Sequence, residues 1–121
     1  VKRPKQVIQD WVSAYNARDP YAPIELYHED AQNHQVAFGD PLNGREALLE
    51  SFVTFFPAFR DNYTHVENLF EDGEWAIVEW TGGGTSLGEF GGNLPTGKSF
   101  TLKAVASFRL LMAKSIFNAV T

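Results

Sequence analysis

The chain has 121 residues and a mass of 13.5 kDa, with 44% hydrophobic and 21% charged side chains, enough for one domain (1–121) with a real core. No apolar run approaches the roughly 20 residues of a membrane span, and the absence of cysteine removes disulfides, thiolate metal sites and thiol nucleophiles together. A net charge of −5 and a pI near 5.1 supply no basic footprint for nucleic acid or an anionic membrane, so a small molecule or a second copy of the chain is the expected partner.

The start, Val1-Lys2-Arg3-Pro4-Lys5, is basic but is followed by no apolar stretch, and no signal peptide is read there. With no cysteine, a reducing cytoplasm is the expected location. Val7, Ile8, Trp11, Val12 and Tyr15 then recur at the spacing of one helical stripe. Pro4 suits the first turn, and the helix is expected to stop near Ala17-Arg18. Asp19 reads as an N-cap and Pro20 as the first position of a short second helix running to about His28.

Ala31 to Phe38 carries Val36 and Phe38 between polar residues and reads as a strand. Gly39 to Gly44 is dense in turn formers. A further helix is expected from Arg45 to Phe56, with Leu48, Leu49, Phe52, Phe55 and Phe56 on its apolar face and Pro57 ending it. The remainder is rich in strands. Tyr63 to Phe70 leads through Glu71-Asp72-Gly73-Glu74 into Trp75 to Thr81, a hairpin signal. Gly82-Gly83-Gly84 marks a bulge or a sharp bend. After a turn region at Gly91 to Gly97, Ser99 to Leu110 reads as a long strand and Ser115 to Val120 as a last short one. Helices early and strands late give an α+β class, with helices on one face of a curved sheet.

Ten Phe, four Tyr and three Trp make the chain 14% aromatic. A well-filled core accounts for any single ring. So many in so small a domain also suit a pocket wall, which is typically apolar with a few polar groups.

Several motifs in order resemble one family. Asn33-His34 followed by Pro41-Leu42-Asn43-Gly44-Arg45-Glu46, then Phe59-Arg60-Asp61, Gly84-Thr85, Gly88-Glu89-Phe90, Pro95-Thr96-Gly97-Lys98 and Phe108-Arg109 resemble the SnoaL-like polyketide cyclases from about Val7 to Arg109. The resemblance implies the fold of ketosteroid isomerases and nuclear transport factor 2: a cone-shaped curved antiparallel sheet wrapped around N-terminal helices, an α+β barrel with an apolar pocket. It further implies a cofactor-independent enzyme acting by proton transfer on a small apolar carbonyl compound, as polyketide cyclases and isomerases do. Some relatives only bind, so a non-catalytic ligand-binding module is the alternative, and fold alone does not choose.

In the cyclases an acid on the last strand moves the proton. Here no carboxylate follows Glu89, and the matching stretch holds Ala113, Lys114, Phe117 and Asn118. Ser86 stands where many relatives carry a histidine; it can orient a ligand but is no base near neutral pH. His34, on the strand the family places beside the pocket, is the expected catalytic residue, since an ordinary pKa of about 6.5 suits proton transfer. Its plainer role is a hydrogen bond to a neighbour or a ligand. Trp11, Tyr15, Phe52, Phe56, Phe59, Trp80 and Ser86 are the expected ligand-binding residues.

No metal site is expected. His28-Glu29-Asp30 are sequence neighbours that do not face one another, and His65 reads as a surface residue. Trp80 shares a strand face with Ala76 and Val78, while Trp75, Ile77 and Glu79 take the other. If the first face lines the interior, the second is the expected homodimer contact.

Overall fold

The computed structural model describes residues 3–112 and 115–121; Val1 and Lys2 of the basic start, and Ala113 and Lys114 of the tail comparison, fall outside them. Helix α1 spans Pro4–Asn16. Its stripe is used as the spacing requires, with Val7 and Ile8 fully buried and Trp11, Val12 and Tyr15 packed against the core. The Arg3 backbone N–H is satisfied by Gln6 Oε1 at 2.8 Å. Arg18, at φ 61°, turns the chain out of the helix with its N–H on the Tyr15 carbonyl, the left-handed residue that commonly closes a helix.

The expected second helix does not form. Asp19 Oδ1 does accept the Tyr21 N–H at 2.9 Å, but this caps only a turn, followed by a single 3-10 turn at Pro23–Leu26. Pro23 resets the chain there, and strand β1 begins early, at Tyr27–His34. Val36–Phe38, expected to be strand, is another 3-10 turn. Strand β2 is only Leu42–Asn43, and helix α2 spans Arg45–Ala58. Pro57 lies inside its last turn; the helix still closes, with the Phe59 N–H on Phe55 O at 3.1 Å.

Strands β3 (Tyr63–Asp72), β4 (Trp75–Thr85), β5 (Ser99–Leu111) and β6 (Ser115–Val120) follow. The sheet order is β2-β1-β6-β5-β4-β3. Every pair is antiparallel except β1 with β6, which run parallel, so the sheet is mixed rather than purely antiparallel. Its edge strands β2 and β3 do not pair, and the sheet stays open. The protein is thus of the α+β class, two helices on a six-stranded curved sheet.

The three glycines at 82–84 cause no bulge; β4 pairs through them with both neighbours. At Gly82 and Gly83 the surroundings leave no room for a side chain. A Cβ on Gly83 would stand 2.3 Å from the Phe100 carbonyl oxygen, and one on Gly82 would stand 2.6 Å from the Trp80 ring. The irregularities fall instead between Tyr27 and Gln32, between Val66 and Asn68 and between Arg109 and Leu110, where extra residues sharpen the twist. The core lies between the helices and the inner sheet face, and includes Ile8, Tyr27, Leu48, Ala76, Phe108, Leu110 and Ile116. Each fully buried aliphatic side chain there contributes about 1.5–3 kcal/mol. Among the described residues no helix is long and apolar enough to cross a membrane.

Candidate functional site

Helix α1 packs chiefly on β3 and α2 chiefly on β1; the V between them is filled by core side chains, with Trp11 of α1 on Phe108 of β5. Two adjacent rows of the sheet decide what faces this V. Asn33, Ala119, Phe108 and Ala76 pair in register across β1, β6, β5 and β4, and the last three are buried; this row faces inward. The next row is His34, Val120, Ser107 and Ile77, and because strand side chains alternate it faces outward. Val120 in it is 39% exposed.

This alternation moves the expected chemistry. His34, expected to be the proton-transfer group beside the pocket, lies on the outer row, with Nε2 2.9 Å from the Gly39 carbonyl oxygen. Its neighbour Asn33 takes the inward place. Strand parity was legible in the sequence, but which parity faces in was not, because Gln32, Asn33, His34 and Gln35 are all polar and carry no apolar alternation to read.

A small polar group sits inside the V. The Trp11 indole N–H donates to Tyr27 Oη at 3.0 Å; Asn33, on the inner row, accepts from Gln35 Nε2 at 3.3 Å and lies close enough to Tyr27 to pull its pKa down. Tyr27 is 0% exposed. Burial pushes its phenol well above the usual range, against the opposing pull of Trp11 and Asn33. Burial likewise raises the Tyr15 phenol. Both rings therefore stay neutral donors and acceptors at physiological pH. Tyr15 Oη makes none of the side-chain hydrogen bonds seen among the described residues and is not among the buried atoms that lack a partner, so it is an accessible phenol at the rim of the V. In the sequence Asn33 is visible only as part of the Asn33-His34 motif, and Tyr27 falls within the expected second helix, so neither is placed at the site.

Four expected ligand-binding residues meet here. Tyr15 stacks on Trp11 (centroids 5.2 Å apart) and meets the edges of Phe56 (5.1 Å) and Phe52 (6.3 Å), while Trp11 also contacts Phe108 at 5.5 Å. The rings expected to line a pocket thus pack on one another. Trp80 is on the inner face too, packed on the core with its ring over Gly82. Phe59 belongs to a second aromatic group at the end of α2, stacked on Phe55 at 4.9 Å and meeting Phe90 and Phe100. Phe55 contacts Phe56 at 6.1 Å and joins the two groups.

Ser86 is spent on the loop between β4 and β5. Its Oγ accepts the Thr96 N–H at 3.0 Å, and its backbone pairs with Gly97 and Lys98. It pins the base of that loop rather than facing the V.

The acids are committed elsewhere. Glu71, on the inner side of β3, accepts the Lys5 N–H at 3.0 Å and Arg3 Nε at 2.8 Å; the Lys5 hydrogen bond and the Arg3 charge hold its carboxyl below the usual range. Asp61 accepts both the Thr85 hydroxyl and its N–H, which lower its pKa in the same way. Both are structural ties. Two open depressions lie away from the V. One, of about 460 Å³, is bounded by Arg3, Gln6, Gln9 and Phe70. The other, of about 270 Å³, lies among Asn68, Glu79, Lys103 and Val105. Among the described residues no three His, Asp or Glu side chains converge as a metal site would require.

The chain matches the family model for SnoaL-like polyketide cyclases over residues 5–114. Among solved structures it is similar to IdmH of Streptomyces antibioticus, a candidate polyketide cyclase, with 25% identity over 97% of this chain and 88% of that one and a TM-score of 0.79. A candidate polyketide cyclase of Pseudomonas putida gives 19% identity over 99% and 90%, with a TM-score of 0.82. A protein of Catenulispora acidiphila with a ketosteroid isomerase-like fold, seen with trimethylamine, gives 16% identity over 95% and 82%, with a TM-score of 0.81. No curated protein matches the chain.

Proposed function

Because the chain belongs to the SnoaL-like polyketide cyclase family, we propose that it is a cyclase- or isomerase-type enzyme that acts without a cofactor on a small, largely apolar carbonyl compound bound in the V between α1 and α2. The observation that carries this reading is the uncommitted Tyr15 phenol beside the Trp11–Tyr27–Asn33 group, in a wall otherwise made of rings. Phe52, Phe56 and Trp80 part to admit the ligand. The Tyr15 hydroxyl donates to the ligand's carbonyl oxygen, where negative charge develops as the neighbouring C–H loses its proton. A donor already fixed in place is worth most at that moment, when the charge develops. Trp11 holds Tyr27 and Asn33 flanks it, which sets the wall against which Tyr15 works. The proton leaves to water or to a basic group of the ligand, since the described inner wall offers no uncommitted carboxylate or imidazole.

That same lack favours a second reading, a ligand-binding module without turnover. Exchange of the α-protons of 2-tetralone in D2O separates the two. The expected result is exchange above the buffer rate, about 10²-fold slower in Tyr15→Phe and unchanged in His34→Ala. Binding of 2-tetralone with exchange at the buffer rate would establish the module instead; loss of exchange in His34→Ala would return the proton to the imidazole.

The outer sheet face leaves Phe70 53%, Val105 54% and Trp75 39% exposed. This apolar content supports a homodimer through that face, and the lack of cysteine supports a cytoplasmic setting.

A further inference from the structure

The inner face of β4 and β5 is not closed along its whole length. The two strands pair without a register shift, so their even-numbered residues share that face from end to end. The pairs Ala76–Phe108 and Val78–Ala106 are buried. Trp80 and Ala104, the next pair, are half-buried. Beyond them Leu102, opposite Gly82, is 39% exposed, and Phe100, opposite Gly84, is 38% exposed. The inner face thus opens to solvent at one end, and Trp80 stands at the boundary. Touching rings lead from this opening to the V: Phe100 meets Phe59 at 5.6 Å, Phe59 stacks on Phe55, Phe55 meets Phe56, and Phe56 meets Tyr15.

Trp80 is free to move there. A Cβ on Gly82 would come within 2.6 Å of Trp80 Cζ3 and 3.0 Å of Cε3, so the indole leans along β4 from the buried pairs over the first open one. Its cross-strand neighbour Ala104 is too small to wedge it. Nothing polar ties it down either. The Trp80 indole N–H makes none of the side-chain hydrogen bonds seen among the described residues, and it is not among the buried atoms that lack a partner. Trp11, by contrast, is tied through its indole N–H to Tyr27. A half-buried ring held by packing alone leaves its place without stranding a polar group.

We infer that Trp80 is the door of the proposed site, with Gly82 beneath it, and that this door selects flat ligands; the inference rests on the reading of the V as the place where a ligand binds. The ligand enters across Phe100 and Leu102, and the indole swings off Gly82 to let it pass. The space the indole leaves, above Gly82 and Ala104, has the thickness of one aromatic ring. A planar fused-ring carbonyl compound fits that passage, whereas a globular one of equal mass meets the Trp80 side chain. Trp80 is therefore a specificity-determining residue that works by exclusion.

2-Tetralone and 2-adamantanone test this, as ketones of nearly equal mass, the first close to flat and the second globular. The wild type is expected to bind 2-tetralone about tenfold more tightly, and Trp80→Ala to narrow that preference to about twofold by admitting 2-adamantanone. The absence of cysteine allows a second measurement that leaves Trp80 in place. Leu102→Cys and Lys103→Cys each add a single thiol, one on the inner and one on the outer face of β5, at positions that are both exposed. A polyethylene glycol maleimide on the Leu102→Cys thiol is expected to slow 2-tetralone association about tenfold, and the same label on the Lys103→Cys thiol to leave it unchanged. Equal affinity of the wild type for the two ketones, an undiminished preference in folded Trp80→Ala, or equal slowing by the two labels overturns the door and leaves the Tyr15 reading standing. Failure of 2-tetralone to bind both the wild type and Trp80→Ala overturns the two together.

Discussion

Two neighbouring rows of one sheet have opposite characters. Asn33, Ala119, Phe108 and Ala76 look into a ring-lined interior, while His34, Val120, Ser107 and Ile77 look outward. A single step along β1 exchanges an imidazole for an amide at the wall of the V. In a sheet, one residue of register outweighs any property of the residue itself. The histidine most attractive for proton transfer by type is thereby placed against the Gly39 carbonyl, and the interior is left with neutral hydrogen-bonding groups.

The largest expected contrast between the faces is in packing. Leu110, 0% exposed, is expected to cost about 2–5 kcal/mol when cut to alanine. Val105 on the outer face, 54% exposed, is expected to cost no more than about 0.5 kcal/mol. Urea denaturation of both variants would measure this, and equal losses would mean that the outer face is buried against a partner in solution. Next comes the crowded strand. Gly83→Ala, with its new Cβ against the Phe100 carbonyl, is expected to lose about 1–3 kcal/mol; a neutral result would show that β4 and β5 are spaced more loosely than this register requires.

A smaller effect concerns the polar group itself. Tyr27→Phe strips the Trp11 indole N–H of its acceptor and is expected to cost about 1–2 kcal/mol. It also has a pH signature. The Tyr27 and Tyr15 phenols are raised above their ordinary 10.0 by burial, so the stability they confer is complete below pH 10 and lost as pH climbs past it. Alkaline unfolding should start above pH 10 in the wild type and be blunted in the Tyr27→Phe, Tyr15→Phe double variant. Identical alkaline midpoints would place the phenols in water.

The sequence made the apolar skeleton readable. The α1 stripe from Val7 to Tyr15, the α2 face from Leu48 to Phe56 and the Asp72-Gly73 hairpin all have strong periodicity or turn chemistry, and each forms close to where it is expected. Apart from the bulge expected at Gly82–Gly84, what fails lies between Asp19 and Phe38. There Pro20 and Pro23 suit either a helix start or a turn, and the polar run at 32–35 gives no sign of its inner side. It therefore gave no inward role to Asn33, seen only within the Asn33-His34 motif, and Tyr27 was expected in a helix. Tyr15, Trp11, Phe52 and Phe56 were legible because large rings at helical spacing point inward for packing whether or not a ligand follows. Ser86 was legible as a polar residue but not as a pin, since its partner Thr96 is ten residues away across a loop.

The three tryptophans sample the two faces, and their indole N–H resonances give the most direct test of where a carbonyl ligand binds. Trp11 donates into the polar group, Trp80 covers Gly82 on the inner side, and Trp75 stands on the outer face. On titration with 2-tetralone the Trp11 and Trp80 signals are expected to move together along one binding curve while Trp75 stays fixed. A shift confined to Trp75, with Trp11 unmoved at saturation, would contradict the account and transfer the site to the face that carries His34.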